Sequence, residues 1–297
     1  MSQAATGPES DVLASVAGEI DEYLTRVLRG RGMPGMLEEA VCYTVLAHGK
    51  RLRPALVVLC CQAVEGRREQ AMAPAASIEL IHSFSLVHDD LPAMDDDDMR
   101  RGQPTLHKHA GEAMAILAGD AMMSIAFELI AASTLPAERV GRLCRELASA
   151  TSAMIDGQVY DTLGGFPDRL SEEQRLGLIH RNKTGALLRA ACRMGGVCGG
   201  AGERQLLHLT EYGEAIGLMF QIVDDLLDVT ESTEHIGKTA GKDLPAGKLT
   251  YPGVLGIERS RRDIERLRAE AHVALEGLGD TAAVLGRLCD DMAVRTK

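Results

Sequence analysis

Two aspartate clusters carry the strongest chemical signal in the sequence. The first runs Asp89-Asp90-Leu91-Pro92-Ala93-Met94-Asp95 and continues through Asp96, Asp97 and Asp98 to Arg100 and Arg101. The second is Asp224-Asp225-Leu226-Leu227-Asp228. On a helix, Asp224 and Asp228 lie four apart and share a face. Like charges stacked in this way repel unless a cation is shared. Hard divalent ions such as Mg²⁺ take oxygen ligands while keeping waters and phosphate oxygens in their shell. A solvated acidic face is the plain alternative for either cluster alone. Both clusters end strongly apolar stretches, 80–87 and 216–223, which suits the rim of a deep pocket better than open surface. Together they point to a metal site.

Cations accompany the carboxylates. Lys50, Arg51 and Arg53 crowd the run 49–54, and Arg100 and Arg101 precede Gly102. Lys183, Lys238, Lys242 and Lys248 stand singly in the second half. In an acidic chain, cations at sequence breaks are candidate phosphate ligands, although surface charge is the plain reading of any one of them. Two acidic clusters and several isolated cations fit a diphosphate held by Mg²⁺ and clamped by Lys and Arg.

The elements that position these groups read as helices. Apolar residues recur at three and four spacings over 12–28, 78–91, 113–132, 138–163, 176–194 and 206–229. Gly and Pro mark breaks at 31–35, 102–104, 164–167, 195–202 and 241–247. Strand-like alternation is hard to find, and Ala, Leu and Met favour helix. The 297 residues (31.8 kDa, 45% apolar) support one large core. The expectation is a single all-α domain over 1–297 with about ten helices, residues 1–10 being disordered.

Composition excludes several partners. A net charge of −11 and a pI near 5.3 argue against nucleic acid, and 3% aromatics without Trp argue against base stacking. Seven cysteines, none in a C-x-x-C pair, read as reduced thiols, hence a cytoplasmic chain. The N-terminus has no signal-peptide pattern. The apolar stretch 114–133 is of membrane length, but Asp120 and Glu128 interrupt it, so it reads as a buried core helix without membrane anchoring.

The segment from Glu79 to Gly102 resembles the first aspartate-rich motif of the trans-isoprenyl diphosphate synthases, and Phe220 to Asp228 resembles the second. The runs 49–54, Gly157-Gln158, 181–185 and 237–252 match in family order, so the resemblance covers the chain from about residue 12 onward. It implies an isoprenoid-synthase-type helical bundle around a deep central cavity, most like bacterial farnesyl diphosphate synthases, and a homodimer. The implied reaction is head-to-tail prenyl transfer. An allylic diphosphate ionises, its carbocation attacks isopentenyl diphosphate, and a proton leaves. Asp89, Asp95 and Asp224 would bind Mg²⁺, with Asp90 and Asp228 as further members. About three ions per site are expected, and Mn²⁺ can substitute. Arg100, Lys183, Lys238 and Lys248 would hold the allylic diphosphate; Lys50, Arg53, His82 and Arg101 would hold isopentenyl diphosphate. Thr184 and Gln221 would turn oxygens toward the cation. No side-chain base is obvious, and in the family the departing pyrophosphate takes the proton. His107 and His109 have no assigned role.

Product length follows from the floor of the cavity. Phe84 lies five residues before Asp89, roughly 7.5 Å along a helix, and Ser85 is small. In the family, this aromatic with a four-residue spacer in the first motif goes with a C15 product, and a smaller or flexible residue there with C20. The expectation is farnesyl diphosphate, with geranylgeranyl diphosphate next. A class I terpene cyclase would want an aromatic-lined pocket and a different second metal motif, and an inactive partner subunit would have lost aspartates. Both fit poorly.

Overall fold

The computed structural model describes the backbone of residues 8–236 and 249–294 and the side chains of 13–229 and 249–294. The expected helices are there. They are α1 (Pro8–Leu28), α2 (Gly35–Val45), α3 (Leu52–Ala63), α4 (Arg68–Asp89), α5 (Leu106–Ala110), α6 (Glu112–Ala131), α7 (Ala137–Thr162) and α8 (Glu172–Ile179). After a π-turn (His180–Gly185) come α9 (Ala186–Gly199), α10 (Glu203–Ile236), α11 (Tyr251–Leu255), α12 (Ile257–Glu276) and α13 (Ala283–Ala293). Helix α1 begins at Pro8, inside the stretch expected to be disordered; proline suits a first helical position because its missing N–H has no intrahelical partner there. Residues 1–7 lie outside the described ones, as do Lys238, Lys242 and Lys248.

Contacts divide the chain into two units. One holds the residues up to Leu147 together with Met194–Gly200; the other holds Ala148–Arg193 and the residues from Ala201 onward. Two boundaries fall within α7 and α9, and the third lies between α9 and α10.

In the first unit α3 and α4 are core helices. Nine of the twelve residues of α3 are buried, which explains why its apolar run shows no helical stripe. Helix α4 packs on α3 and α6. The membrane-length helix α6 buries Ala115, Ala118, Gly119, Met122, Ile125, Ala126, Leu129 and Ile130. Among the described residues it is the one helix long and apolar enough to cross a membrane. Its Glu128 pairs with Arg31, and Asp120 is exposed. Gly195 and Gly199, read from sequence as part of a break, lie inside α9. A Cβ on Gly195 would lie 2.4 Å from the Val57 carbonyl oxygen, and one on Gly199 would lie 2.4 Å from Val64 Cγ2. They are packing glycines.

One expectation needs adding to. Two short strands, β1 (Met99–Arg100) and β2 (Gln103–Pro104), pair antiparallel right after the first aspartate cluster. The two turn residues, Arg101 (φ 53°) and Gly102 (φ 79°), are both left-handed, as a two-residue hairpin turn requires. Glycine meets this at no cost, whereas Arg101 is strained.

The second unit is organised by α10, which packs on α12, α13 and the π-turn. Tyr212, fully buried on α10, donates its hydroxyl to the Leu285 carbonyl at 2.8 Å and ties α10 to α13. A capping box opens α8: Ser171 Oγ accepts from the Gln174 N–H at 3.2 Å, and Gln174 Oε1 accepts from the Ser171 N–H at 2.9 Å. All seven cysteines are free. Burial pushes the Cys61 thiol up to about 11 and the Cys289 thiol up to about 12, so both stay protonated.

Candidate active site

In the first unit, the four-residue spacer of the first motif folds into a turn. The Met94 N–H donates to the Leu91 carbonyl at 2.8 Å, and the Asp95 N–H donates to the Asp89 carbonyl at 2.9 Å. This turn closes the end of α4 and brings the backbones of Asp89 and Asp95 together, although six positions separate them. Asp95 is exposed and Asp89 half-buried. Two carboxylates so placed are hard oxygen donors of the kind that fits Mg²⁺.

Asp90 is turned the other way. It is 3% exposed and takes the Arg100 guanidinium, with Nε 3.0 Å from Oδ1 and Nη2 closer still. Arg100 reaches Asp97 as well, at 3.1 Å. Burial raises the Asp90 carboxyl above its ordinary value, against the lowering by Arg100. The same ion pair holds the Arg100 guanidinium further into its charged range.

The cations expected at the isopentenyl diphosphate are gathered in this unit. Arg53 Nη1 lies 3.3 Å from His82 Nε2. A guanidinium can only donate, so Nε2 accepts and the ring is neutral, with its proton on Nδ1. Burial, then the charges of Arg53, Arg101, Arg100 and Arg51, hold His82 well below its usual range. Arg101 lies against Gly49, where a Cβ would come within 2.8 Å of its Nη1. That contact sets the hairpin turn against the 49–54 run, in which Lys50 is exposed. Arg51 differs from its neighbours. Its guanidinium is buried, donating to Asp21 and Glu79 at 2.7 Å each and to the Val45 and Ala47 carbonyls at 2.8 and 2.9 Å. It anchors the run from below, while Lys50 is exposed and Arg53 half-buried.

Phe84 is 7% exposed and meets His88 edge-on, ring centroids 5.0 Å apart. His88 in turn sits where a Cβ on Gly119 of α6 would be, 2.1 Å from Nε2. Ser85 Oγ donates to the His82 carbonyl at 2.9 Å.

In the second unit the π-turn presents Lys183 and Thr184; such turns recur at functional positions because they break the helical ladder locally. A Cβ on Gly157 of α7 would lie 2.2 Å from the Lys183 backbone nitrogen, so glycine is needed for this approach. Lys183 Nζ pairs with Asp161 at 2.6 Å. Thr184 Oγ1 donates to Gln221 Oε1 at 2.8 Å, and Gln221 Nε2 donates to Asp225 Oδ1 at 2.9 Å. Asp225 Oδ2 accepts the Tyr251 N–H at 2.8 Å and stands 3.4 Å from His180 Nε2. Asp225 is 7% exposed, whereas Asp224 is half-buried and Asp228 exposed. Burial would raise the Asp225 carboxyl, but hydrogen bonds from His180, Tyr251 and Gln221 outweigh it and hold the carboxyl low.

Three residues escaped the sequence reading. Asp225 sits inside the second motif and Asp161 one turn beyond Gly157, but nothing in their spacing reveals a buried partner. Gln158, matched only as part of a motif, has both amide atoms buried without a hydrogen-bond partner.

A model of the polyprenyl synthetases matches residues 34–278. The chain belongs to the polyprenyl synthetase family. As a polyprenyl synthetase it is a trans-prenyltransferase that joins prenyl units head to tail. It is 49% identical over 270 residues to geranylgeranyl pyrophosphate synthase 11, chloroplastic, of Arabidopsis thaliana, covering 88% of this chain and 75% of that one. It is 45% identical over 271 residues to the Arabidopsis heterodimeric geranylgeranyl pyrophosphate synthase large subunit 1, chloroplastic, covering 88% and 73%. Among solved structures, an FPP/GFPP synthase from Zymomonas mobilis superposes with a TM-score of 0.85 at 32% identity, covering 96% of this chain and 99% of that one. A geranyltransferase from Legionella pneumophila does so with the same score and identity, covering 98% of each. The all-α expectation and the family resemblance therefore hold.

Proposed function

We propose that this polyprenyl synthetase condenses isopentenyl diphosphate with allylic diphosphates and releases a C20 product, geranylgeranyl diphosphate. The turn that closes Asp95 onto Asp89 carries the reading, because it joins the backbones of two aspartates six positions apart, and their carboxylates are hard oxygen donors suited to Mg²⁺. Asp89 and Asp95 would be the metal ligands of the first motif and Asp224 and Asp228 those of the second, and the ions would neutralise the pyrophosphate charge that grows as carbon leaves oxygen. Lys50, Arg53 and Arg101 bind isopentenyl diphosphate, and neutral His82 orients Arg53. Arg100 and Lys183 bind the allylic diphosphate, joined by Lys238 and Lys248. Lys183 exchanges Asp161 for the substrate's phosphate oxygens. Thr184 gives its proton to Gln221, so its oxygen keeps lone pairs that stabilise a carbocation without trapping it. The free thiols fit a reducing compartment, and a homodimer is the assembly a light-scattering mass would report.

The C20 assignment draws support from the names of relatives 45–50% identical. Buried Phe84 favours C15 as the second reading. Labelled isopentenyl diphosphate, dimethylallyl diphosphate and Mg²⁺, followed by phosphatase and separation of the alcohols, decides between them. A C20 alcohol is expected. A C15 alcohol restores Phe84 as the floor, and no linear product overturns the reaction. In the C20 enzyme, Phe84→Ala leaves product length unchanged; lengthening would make Phe84 the floor.

A further inference from the structure

A second set of ligating atoms lies just past the first motif. One ring nitrogen of His107 and one carboxylate oxygen each from Asp96 and Asp98 lie within 4.8 Å of one another. The β1–β2 hairpin separates them in sequence: Asp96 and Asp98 precede it, His107 follows it. The two aspartates are exposed, but His107 is only 6% exposed.

The histidine is prepared for a ligand. Thr105 Oγ1 lies 2.7 Å from the Asp97 carbonyl and 3.1 Å from His107 Nδ1. The hydroxyl has one proton and gives it to the carbonyl, so it accepts from Nδ1–H. That tautomer leaves the lone pair on Nε2, which is buried and has no hydrogen-bond partner. Metal-ligating histidines are oriented in this way, one ring N–H fixed by a neighbouring acceptor and the other nitrogen bare. The loop is held as well: the Thr105 N–H donates to the Asp98 carbonyl at 3.0 Å, and Asp96 takes a left-handed φ of 51°. Lys108 Nζ pairs with Asp98 Oδ1 at 2.8 Å and keeps that carboxylate ionised.

We infer that Asp96, Asp98 and His107 form a divalent-cation site separate from the Asp89–Asp95 pair, one that clasps the base of the hairpin carrying Arg100 and Arg101. One imidazole and two carboxylates suit a borderline first-row ion such as Zn²⁺ over Mg²⁺, and the harder Mn²⁺ serves as its paramagnetic probe. The site is complete without diphosphate, so it fills in the absence of substrate.

Electron paramagnetic resonance with Mn²⁺ tests this on the full chain, stripped of metal with chelator and free of diphosphate. The aspartate motifs offer only oxygen, so nitrogen coupling to bound Mn²⁺ reports the histidine. Coupling is expected in the wild type and in Asp89→Asn, whose loss of turnover is a separate matter. It disappears in His107→Gln. Asp96→Asn, a change at an exposed position that keeps the protein folded, weakens binding about tenfold or more. Absence of coupling at saturating Mn²⁺ in the wild type, its persistence in His107→Gln, or unchanged affinity in Asp96→Asn overturns the site.

Discussion

The two aspartate motifs share a grammar and differ in how they hold their inward member. Asp90 is held charge against charge by Arg100, ten residues along the same segment and delivered by the hairpin. Asp225 is held by a side-chain amide from its own helix, a backbone N–H from α11 and a histidine from the π-turn. The first motif is thus a local module that one stretch of chain completes. The second is woven into three elements, and its buried carboxylate leads through Gln221 to the hydroxyl of Thr184. Damage to the first should stay near its metal pair and its arginine. Damage to the second should spread to the oxygens proposed to face the carbocation.

The largest effects test what the motifs have in common. Asp89→Ala and Asp224→Ala each remove a proposed metal ligand, and each should lower kcat by about 10²–10³-fold, measured at saturating substrates and Mg²⁺. Near-normal turnover in one of them would break the symmetry and leave metal binding to the other motif.

Next comes the buried pair. Asp225→Ala strips a partner from the Tyr251 N–H, the Gln221 amide and His180 at once, and should cost about 3–5 kcal/mol of unfolding free energy. Asp90→Ala leaves Arg100 its second partner, Asp97, and should cost about 1–3 kcal/mol. Denaturant titration of both variants ranks them. The reverse order would show that the first motif, not the second, is the more deeply embedded.

The motifs were legible in the sequence because their chemistry is dense and local: paired carboxylates after an apolar run, and cations at breaks. The helices over 113–132 and 206–229 were legible because their buried residues recur at three and four spacings. Helix α3 was not, since a helix buried on nearly all sides has no polar face to give it a period. Gly195 and Gly199 looked like breakers because a glycine required by a neighbouring helix, where an added Cβ would come within 2.4 Å of it, is indistinguishable, by itself, from one required by a turn. The hairpin was missed because two-residue strands are too short to alternate. Within the site, Asp161 and Asp225 went unassigned because their meaning lies in partners from other elements, Lys183 and Tyr251, and no single segment contains both ends of those contacts.

The smallest effect separates the inward aspartates by sign. Asp225 is held below its ordinary range in the folded protein, so it binds its proton more weakly there than in the unfolded chain. Its contribution is full above the unfolded carboxyl value, about 3.9, and is lost as pH falls through the lower folded value. Asp90 is held above its ordinary range, so the folded protein takes up that proton first. Lowering the pH through that raised value favours the folded state relative to the unfolded one, which is still ionised. In chelator, unfolding free energies measured from pH 7 down to 3 should therefore fall less steeply in Asp225→Asn than in wild type, because an acid-labile contribution has gone. They should fall more steeply in Asp90→Asn, because a compensating protonation has gone. Each change is bounded by one proton, about 1.4 kcal/mol per pH unit. Two changes of the same sign would mean that Arg100 masters the burial of Asp90 as fully as His180, Tyr251 and Gln221 master that of Asp225, and the contrast between the motifs would reduce to where their partners come from.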